Sequence, residues 1–273
     1  MPKLPLYLFE NNGNFRERLF NHISSGMGIV LCLDYDGTLV PIKKAPSLAV
    51  LPRTTCELIE RLIRKRNVKV VLVSGRSYSD LKNLVQIQNV IFISNHGFQI
   101  NRKKDEWIHP GLKKTFPLIK KVSVILKEKL KIIPGAFVED KNLTLTIHFR
   151  NVGADLIPTV NSIVKNILQK YPNYFKTTSG KKIIEVRPNI KWDKGKALLK
   201  FLRMIRYQNK NNIIVYIGDD KTDEDVFRII PNYTVTIRVG KSIKTEADYY
   251  VKNQREVLIF LNKIDSIKEV RSN

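Results

Sequence analysis

Two carboxylates near the start of the chain, Asp34 and Asp36, have the spacing and setting of a ligand site. They follow the apolar run 28–33, which predicts a buried strand, so both lie at the strand's carboxyl end, where open parallel sheets bind ligands. Gly37 then permits a sharp turn of the backbone. Two aspartates at this spacing also occur in ordinary loops, but the strand before them and the Gly-Thr-Leu after them favour a site.

A second acidic cluster, GDDKTDED (218–225), follows the apolar run 213–217 and holds five carboxylates in seven positions. So dense a cluster could bind a hard cation such as Mg²⁺, which prefers carboxylate oxygens. The alternative is an acidic first turn of a helix, which the helix dipole favours. Both interpretations fit together if Asp219 serves the metal and Glu224 and Asp225 begin the helix.

Two further segments suit an anion. Ser74, Gly75 and Arg76 follow a second apolar run, where a hydroxyl and open backbone N–H groups can bind phosphate oxygens. Lys194 stands at the start of a predicted helix with Asp193 as its N-cap, and a cation there is tolerable beside an anion. Taken singly, Ser-Gly is also a common turn, and lysines are frequent throughout this chain.

The segments that carry these residues alternate between two patterns. Short runs rich in Val and Ile, without polar alternation, predict strands buried on both faces of a parallel sheet. Apolar residues at helical spacing separate them, and this order implies right-handed crossovers and a doubly wound α/β sheet. The predicted strands are 28–34, 68–74, 90–94, 213–219 and 234–240, and the predicted helices include 54–66 and 193–205.

The middle of the chain follows a different pattern. Between 142 and 150, apolar residues alternate with Thr and His, which predicts a half-buried antiparallel strand. Two hairpins, the second turning at Ser179 and Gly180, and two amphipathic helices complete this segment. The sequence therefore predicts an α/β core from 1–106 and 189–273, interrupted by an inserted α+β segment at 107–188.

The charge balance is strongly basic: 48 Lys and Arg against 25 Asp and Glu give +23 in 273 residues. The basic residues are scattered in short pairs along the chain and form no single arm or aromatic-interleaved patch, which argues against specific nucleic-acid binding. Cys32 and Cys56 are too few for a disulfide framework. No apolar run approaches a membrane span, and residues 1–15 lack the pattern of a signal peptide, so we expect a cytoplasmic protein, with a monomer as the default.

Together these motifs resemble the trehalose-6-phosphate phosphatases, a family of the haloacid dehalogenase-like superfamily. The resemblance extends from 33 to 227, nearly three quarters of the chain. Phe149 departs mildly from the family, which often has Tyr there. The motifs are LDYDGTL (33–39), SGR (74–76), NHG (95–97), VEDK (138–141), HFR (148–150), GKKIIEVRP (180–188), WDKGKAL (192–198) and GDDKTDEDVF (218–227).

The resemblance implies a haloacid dehalogenase-like fold and a phosphatase that releases trehalose and phosphate. Asp34 would attack the phosphorus to give an aspartyl-phosphate, and Asp36 would protonate the departing sugar oxygen and then deprotonate water. Mg²⁺ would be held by the Asp34 carboxylate, the Asp36 carbonyl and Asp219. The remaining phosphoryl oxygens would meet Ser74, the Gly75 amide and Lys194, with Asp220 and Asp223 orienting the metal's waters or the lysine.

The same resemblance implies that the inserted segment is a cap that reads the sugar. Charged side chains on a hairpin usually face solvent, but at family positions they suit the hydroxyl groups of a disaccharide. In the core, Arg76, Asn95 and His96 are further substrate contacts by resemblance. The implied cap contacts are Glu139, Lys141, Arg150, Lys181 and Glu185.

Two other readings stay open from the sequence. The core motifs are shared by phosphatases of other sugar phosphates, such as sucrose phosphate or glucosylglycerol phosphate, because only the cap distinguishes the sugar. A protein of a different class, catalytically silent and binding substrate or polyanions, is the second alternative, although every catalytic position is filled here.

Overall fold

The chain divides into two compact units, Met1–Trp107 with Trp192–Asn273, and Ile108–Lys191. The sequence places these boundaries one residue earlier at the first junction and three residues earlier at the second. Asn189 explains the second difference, because its N–H donates to the Tyr174 carbonyl at 2.8 Å and ties the segment to the second unit. The computed structural model describes residues 4–10, 19–22, 24–25, 27–180, 182–207, 212–229 and 234–267.

The first unit is built on a nine-stranded sheet in the order β1-β13-β12-β11-β2-β3-β4-β5-β6. Every pair from β1 to β4 in that order is parallel, and β5 then pairs antiparallel with β4. The strands are β1 Leu6–Tyr7, β2 Gly28–Asp34, β3 Val68–Val73, β4 Ile91–Ser94, β5 Gln99–Arg102, β6 Asp105–Ile108, β11 Asn212–Gly218, β12 Thr234–Val239 and β13 Tyr249–Val251.

Helices cover both faces of this sheet. One face of β2 packs Ile29, Leu31 and Leu33 into a core with α1 (Arg53–Arg64), α2 (Tyr78–Val85) and α7 (Gln254–Ser266). The other packs Val30 and Cys32 with α5 (Lys194–Met204) and α6 (Glu224–Ile229). The doubly wound α/β prediction is confirmed. Among the helices described, none combines the length and the hydropathy that crossing a bilayer requires.

The second unit is a four-stranded sheet in the order β7-β8-β10-β9, with every pair antiparallel. Its strands are β7 Phe137–Asp140, β8 Leu145–His148, β9 Phe175–Gly180 and β10 Ile183–Pro188. Two helices, α3 (Phe116–Leu130) and α4 (Ile157–Leu168), pack on one face against buried side chains of β8 and β10. Pro117 and Pro158 lie in the first turns of these helices. The backbone N–H that proline lacks would have no partner within the helix at these positions. The opposite face of the sheet is polar.

Candidate active site

The carboxyl ends of three neighbouring strands and the start of one helix bring the predicted core residues together. Asp34 is the last residue of β2, Ser74 follows β3, and Asp219 follows β11. These strands are adjacent and parallel, so their carboxyl ends share one edge. Lys194 is the first residue of α5, whose N-cap is Asp193, as expected.

Lys194 joins two of the strand ends through a buried ion pair. Its Nζ donates to Asp34 Oδ1 at 2.8 Å and to Asp223 Oδ1 at 2.9 Å. The lysine is only 3% exposed, and this burial alone would lower its pKa by disfavouring the charged form. The negative charges of Asp223 and Asp34 outweigh burial and raise the pKa well above its ordinary value. The ammonium therefore stays charged beside the proposed nucleophile.

Asp223 organises the acidic loop. Its Oδ2 accepts the backbone N–H groups of Asp219 and Asp220 at 3.0 Å each, and its Oδ1 also accepts the Tyr216 hydroxyl at 2.7 Å. Asp223 is fully buried, and a side chain on Gly218 would meet its carboxylate at 2.3 Å. With both oxygens committed, Asp223 is suited to hold the loop and Lys194 in place.

Asp220 forms the turn that follows. Its Oδ1 accepts the N–H and the hydroxyl of Thr222, both at 2.7 Å. Burial raises its pKa, but Lys194 and the Thr222 hydrogen bonds reverse this and lower it to about 2. Asp220 is thus an ionised carboxylate that fixes the loop.

The acidic residues fit a hard cation. Ligand atoms of Asp34, Asp219 and Asp223 lie within 4.8 Å of one another. Asp219 Oδ1 is buried and has no hydrogen-bond partner among the described residues, so it has an unused lone pair. Burial first, and then Asp223 and Asp220, raise the pKa of Asp219 to about 7. The excess of carboxylates over the single ammonium of Lys194 leaves buried negative charge that a divalent cation would compensate.

Gly37 makes room for the Asp219 carboxylate. Its φ is +89°, a conformation that favours glycine. A Cβ at this position would lie 2.1 Å from Asp219 Oδ2, so no larger residue fits without displacing the carboxylate. The sequence identifies this glycine as a turn former, and the structure adds its close approach to Asp219.

Arg76 lies between two carboxylates. Its Nε and Nη2 donate to both oxygens of Asp36 at 2.6 and 2.8 Å, and its Nη1 donates to Asp80 at 2.6 Å. The guanidinium also lies 5.5 Å from the centre of the Tyr35 ring. The sequence assigns Arg76 to the substrate; the described contacts instead make it the partner of Asp36, and a substrate contact stays a prediction.

The loops after β3 and β4 are joined by hydrogen bonds. The His96 N–H donates to the Ser74 carbonyl at 3.1 Å, and the Asn95 N–H donates to the Arg76 carbonyl at 2.6 Å. Asn95 and His96 both have left-handed backbones, with φ of 50° and 56°. Gly75 packs on the imidazole so closely that a Cβ would lie 2.2 Å from His96 Cε1. His96 therefore packs directly against the loop formed by Ser74, Gly75 and Arg76.

Three of the predicted sugar-binding residues, Glu139, Lys141 and Glu185, lie together on the polar face of the second unit. Register places Glu139, Thr146 and Glu185 in one row across three strands. Lys141 Nζ lies 3.9 Å from a carboxylate oxygen of Glu139 and 3.9 Å from one of Glu185. Arg150 lies in an exposed turn just after β8, and Lys181 is outside the described residues.

Two other residues of this face lie within the sequence motifs but are not among the predicted sugar contacts. His148 Nε2 lies 2.8 Å from Glu139 Oε2, and its ring stacks on Phe137 with centroids 4.3 Å apart. Arg187 is paired with Glu185. The strand period of two is the signal that could have found both, because it places His148 on the face of Thr146, and Arg187 on that of Glu185.

The doubly wound sheet, with two aspartates at the end of its central strand β2 and a buried lysine at a helix start, defines a haloacid dehalogenase-like fold. Within that class, comparison with known sequences identifies one family. The chain belongs to the trehalose-phosphatase family, whose sequence profile matches residues 32–258.

Individual relatives agree with this assignment. The chain is 35% identical to trehalose-phosphate phosphatase B of Arabidopsis thaliana, over 88% of this chain and 67% of that protein. It is 36% identical to a trehalose 6-phosphate phosphatase of Zea mays, over 91% and 73%. A solved trehalose-6-phosphate phosphatase related protein superposes with a TM-score of 0.75 at 27% identity, covering 86% of this chain and 96% of that one.

Proposed function

We propose that this protein hydrolyses trehalose 6-phosphate to trehalose and phosphate. The observation that carries the proposal is the buried contact of Lys194 with Asp34 and Asp223, which places a charged ammonium beside a carboxylate at the edge where parallel sheets bind ligands. The substrate comes from the relatives, which are named for trehalose phosphate. Sucrose phosphate and glucosylglycerol phosphate are the alternatives that an assay must exclude.

Asp34 acts as the nucleophile. One of its oxygens bonds to phosphorus as the bond from phosphorus to the sugar oxygen breaks, and the product is an aspartyl-phosphate plus trehalose. Water then attacks the same phosphorus, releasing phosphate and restoring the carboxylate. Lys194 offsets the charge of the phosphoryl group throughout, while the Ser74 hydroxyl and the Gly75 N–H supply further donors.

Asp36 moves the proton in both halves of the reaction. It donates a proton to the departing sugar oxygen and takes one from the attacking water. Arg76 binds both oxygens of its carboxylate in the structure, which fixes the orientation of Asp36 within its loop. One of these two hydrogen bonds must open for that oxygen to carry the proton. Asp80 binds the same guanidinium, so α2 contributes to that orientation.

Magnesium is the cofactor that the carboxylate cluster suits best. The Asp34 and Asp219 carboxylates and the Asp36 carbonyl would hold it. When bound, it would neutralise the charge that otherwise keeps an anionic nucleophile from an anionic phosphate. Asp220 and Asp223 position the loop that carries Asp219.

The polar face of the second unit would bind the sugar. Glu139, Lys141 and Glu185 present charged acceptors and a donor in neighbouring positions, which suit hydroxyl groups. Thr146 lies between the two glutamates, and its buried hydroxyl has no hydrogen-bond partner among the described residues. Arg150 and Lys181 complete the proposed set, and Asn95 and His96 are proposed contacts from the core.

The test is phosphate release from a panel of sugar phosphates with Mg²⁺ and with EDTA. Trehalose 6-phosphate is expected to give the highest kcat/KM, and EDTA is expected to abolish release. A preference of tenfold or more for sucrose phosphate or glucosylglycerol phosphate would overturn the substrate. Turnover that persists in EDTA would overturn the role of the metal.

A further inference from the structure

We propose that a cleft in the first unit, separate from the residues assigned to catalysis, binds a small phosphorylated polyol such as a hexose phosphate. The cleft has a volume of about 1030 Å³ and lies between α2 with the loop that follows it and the strands β4, β5 and β6. That volume is at the upper end of the range for small-molecule sites. The proposal goes beyond the phosphatase activity and does not depend on it.

Charge identifies the acidic half of the ligand. Three lysines line the cleft, Lys82 on α2 and Lys103 and Lys104 at the β5–β6 turn. None of their side chains forms an ion pair or hydrogen bond with any residue that the structure describes. The one acidic residue of the lining, Asp105, is already paired with Arg102 at 2.8 Å. The lysines are therefore free to bind an anion from two sides.

The rest of the lining suits a polyol. Asn101 is buried in the wall; its Nδ2 donates to Glu106 Oε1 at 3.0 Å, while its Oδ1 has no described partner. A ligand hydroxyl could donate to that oxygen, which otherwise remains unsatisfied. The Tyr78 and Phe92 rings meet edge to face at 5.6 Å and add an apolar surface of the kind that packs on a sugar ring. Further amides in the lining come from Asn83, Gln86, Gln88 and Asn89.

Three residues that line the cleft have backbone conformations that usually favour glycine. Gln86, Asn89 and Lys103 all have left-handed backbones, with φ of 52°, 62° and 51°. Such a conformation is unfavourable for a residue other than glycine. All three side chains line the cleft, so the strain is concentrated where a ligand would contact them.

The position of the cleft separates it from the phosphoryl site. Gln86 to Val90 precede β4, and so lie at the amino end of that strand, whereas Asp34, Ser74 and Asp219 lie at carboxyl ends. The proposed ligand is therefore a second molecule and not the reacting phosphate.

Hydrogen–deuterium exchange of the full chain tests the site directly. Glucose 6-phosphate, inorganic phosphate and glucose are added separately to the unaltered protein, and trehalose 6-phosphate is added to Asp34→Asn so that it persists. We expect glucose 6-phosphate or trehalose 6-phosphate to slow exchange in segments 82–90 and 101–105, with little effect of phosphate or glucose alone. The more effective of the two sugar phosphates identifies the source of the ligand.

Two triple variants, each of which removes three lysines, separate the cleft from the rest of the surface. Lys82→Ala, Lys103→Ala and Lys104→Ala combined should weaken binding by at least about tenfold, because they remove the cations that face the anion. Lys127→Ala, Lys129→Ala and Lys131→Ala, at exposed positions in and just after α3, should leave it unchanged. Both triple variants should keep their turnover of trehalose 6-phosphate within about twofold, because neither touches the catalytic residues.

Three results would overturn the proposal. They are no slowing of exchange in these segments with either sugar phosphate, equal slowing with inorganic phosphate, and equal loss in the two triple variants. Absence of phosphatase activity in the unaltered protein would refute the proposed function instead, and would leave the exchange result standing.

Discussion

The proposed catalytic edge of the first unit and the polar face of the second differ in how tightly each holds its buried lysine. Lys194 Nζ lies 2.8 and 2.9 Å from its two carboxylates. Both oxygens of the buried Asp223 accept hydrogen bonds from neighbouring groups of the same site. Lys141 lies at 3.9 Å from each of its two carboxylates. The proposed chemistry would thus use an ammonium held in a preformed cluster, whereas Lys141, in the proposed sugar site, can still adjust to a ligand.

The largest expected effect is at the nucleophile. Asp34→Asn should lower kcat by about 10³-fold or more, because an amide cannot attack phosphorus as a carboxylate does. Phosphate release measures this, and circular dichroism checks that the fold is kept. Activity near that of the unaltered protein would show that Asp34 is not the nucleophile. The proposed chemistry could then no longer be assigned to the edge of the first unit that carries it.

The next effect concerns the buried ammonium. Lys194→Met leaves Asp34 and Asp223 buried without their cation, so kcat should fall by about 10²-fold or more. The free energy of unfolding should fall by about 3–5 kcal/mol, as for other broken buried pairs. Lys141→Met, whose contacts with carboxylates are 3.9 Å long, is the comparison and should lower the free energy of unfolding by less than Lys194→Met does. Equal losses of stability would contradict the difference between the regions.

A smaller effect is expected on substrate binding. Glu139→Gln or Lys141→Met should raise KM for trehalose 6-phosphate by roughly tenfold, since each removes one charged hydrogen-bond partner of the sugar. Hydrolysis of p-nitrophenyl phosphate, which has no sugar, should change by less than about twofold. Lys127→Met on the exposed side of α3 is the matched control. A parallel loss on both substrates would show that these residues act on the fold instead of the sugar.

The smallest effect is a pH-dependent shift of the melting temperature. Burial, with Asp223 and Asp220, raises the pKa of Asp219 to about 7, so the folded protein binds that proton more tightly than the unfolded chain. In EDTA the stability from this group is present at low pH and lost as the pH rises towards 7. A cation needs the deprotonated carboxylate, so Mg²⁺ should raise Tm by a few degrees at pH 8 and by less at pH 5.5. Differential scanning fluorimetry measures both shifts, and equal shifts would exclude Asp219 as a ligand.

The sequence predicts the parts of the molecule that depend on period and strand ends. Uniform Val and Ile runs place Asp34, Ser74 and Asp219 at one edge, because parallel strands align their carboxyl ends. It does not predict the pairing of Arg76 with Asp36, because that contact joins loops 40 residues apart and depends on side-chain directions. Local patterns carry no such information.

The second hairpin shows a local failure. The sequence puts its turn at Ser179 and Gly180, since glycine is the usual turn former. The structure continues β9 through Gly180, which pairs with Ile183, and Lys182 takes the left-handed conformation at φ 65°. That prediction is wrong because the pairing of β9 with β10 decides the register, and a lysine tolerates the strained position.

The interrupted first unit has a consequence for how the protein is made. Asp34 and Lys194 are 160 residues apart, with all of Ile108–Lys191 between them. Synthesis therefore produces Asp34 long before Lys194, while the intervening unit is contiguous in the chain. The buried cluster of Asp34, Lys194 and Asp223 can form only late in translation, after β11 and the acidic loop that follows it have been made.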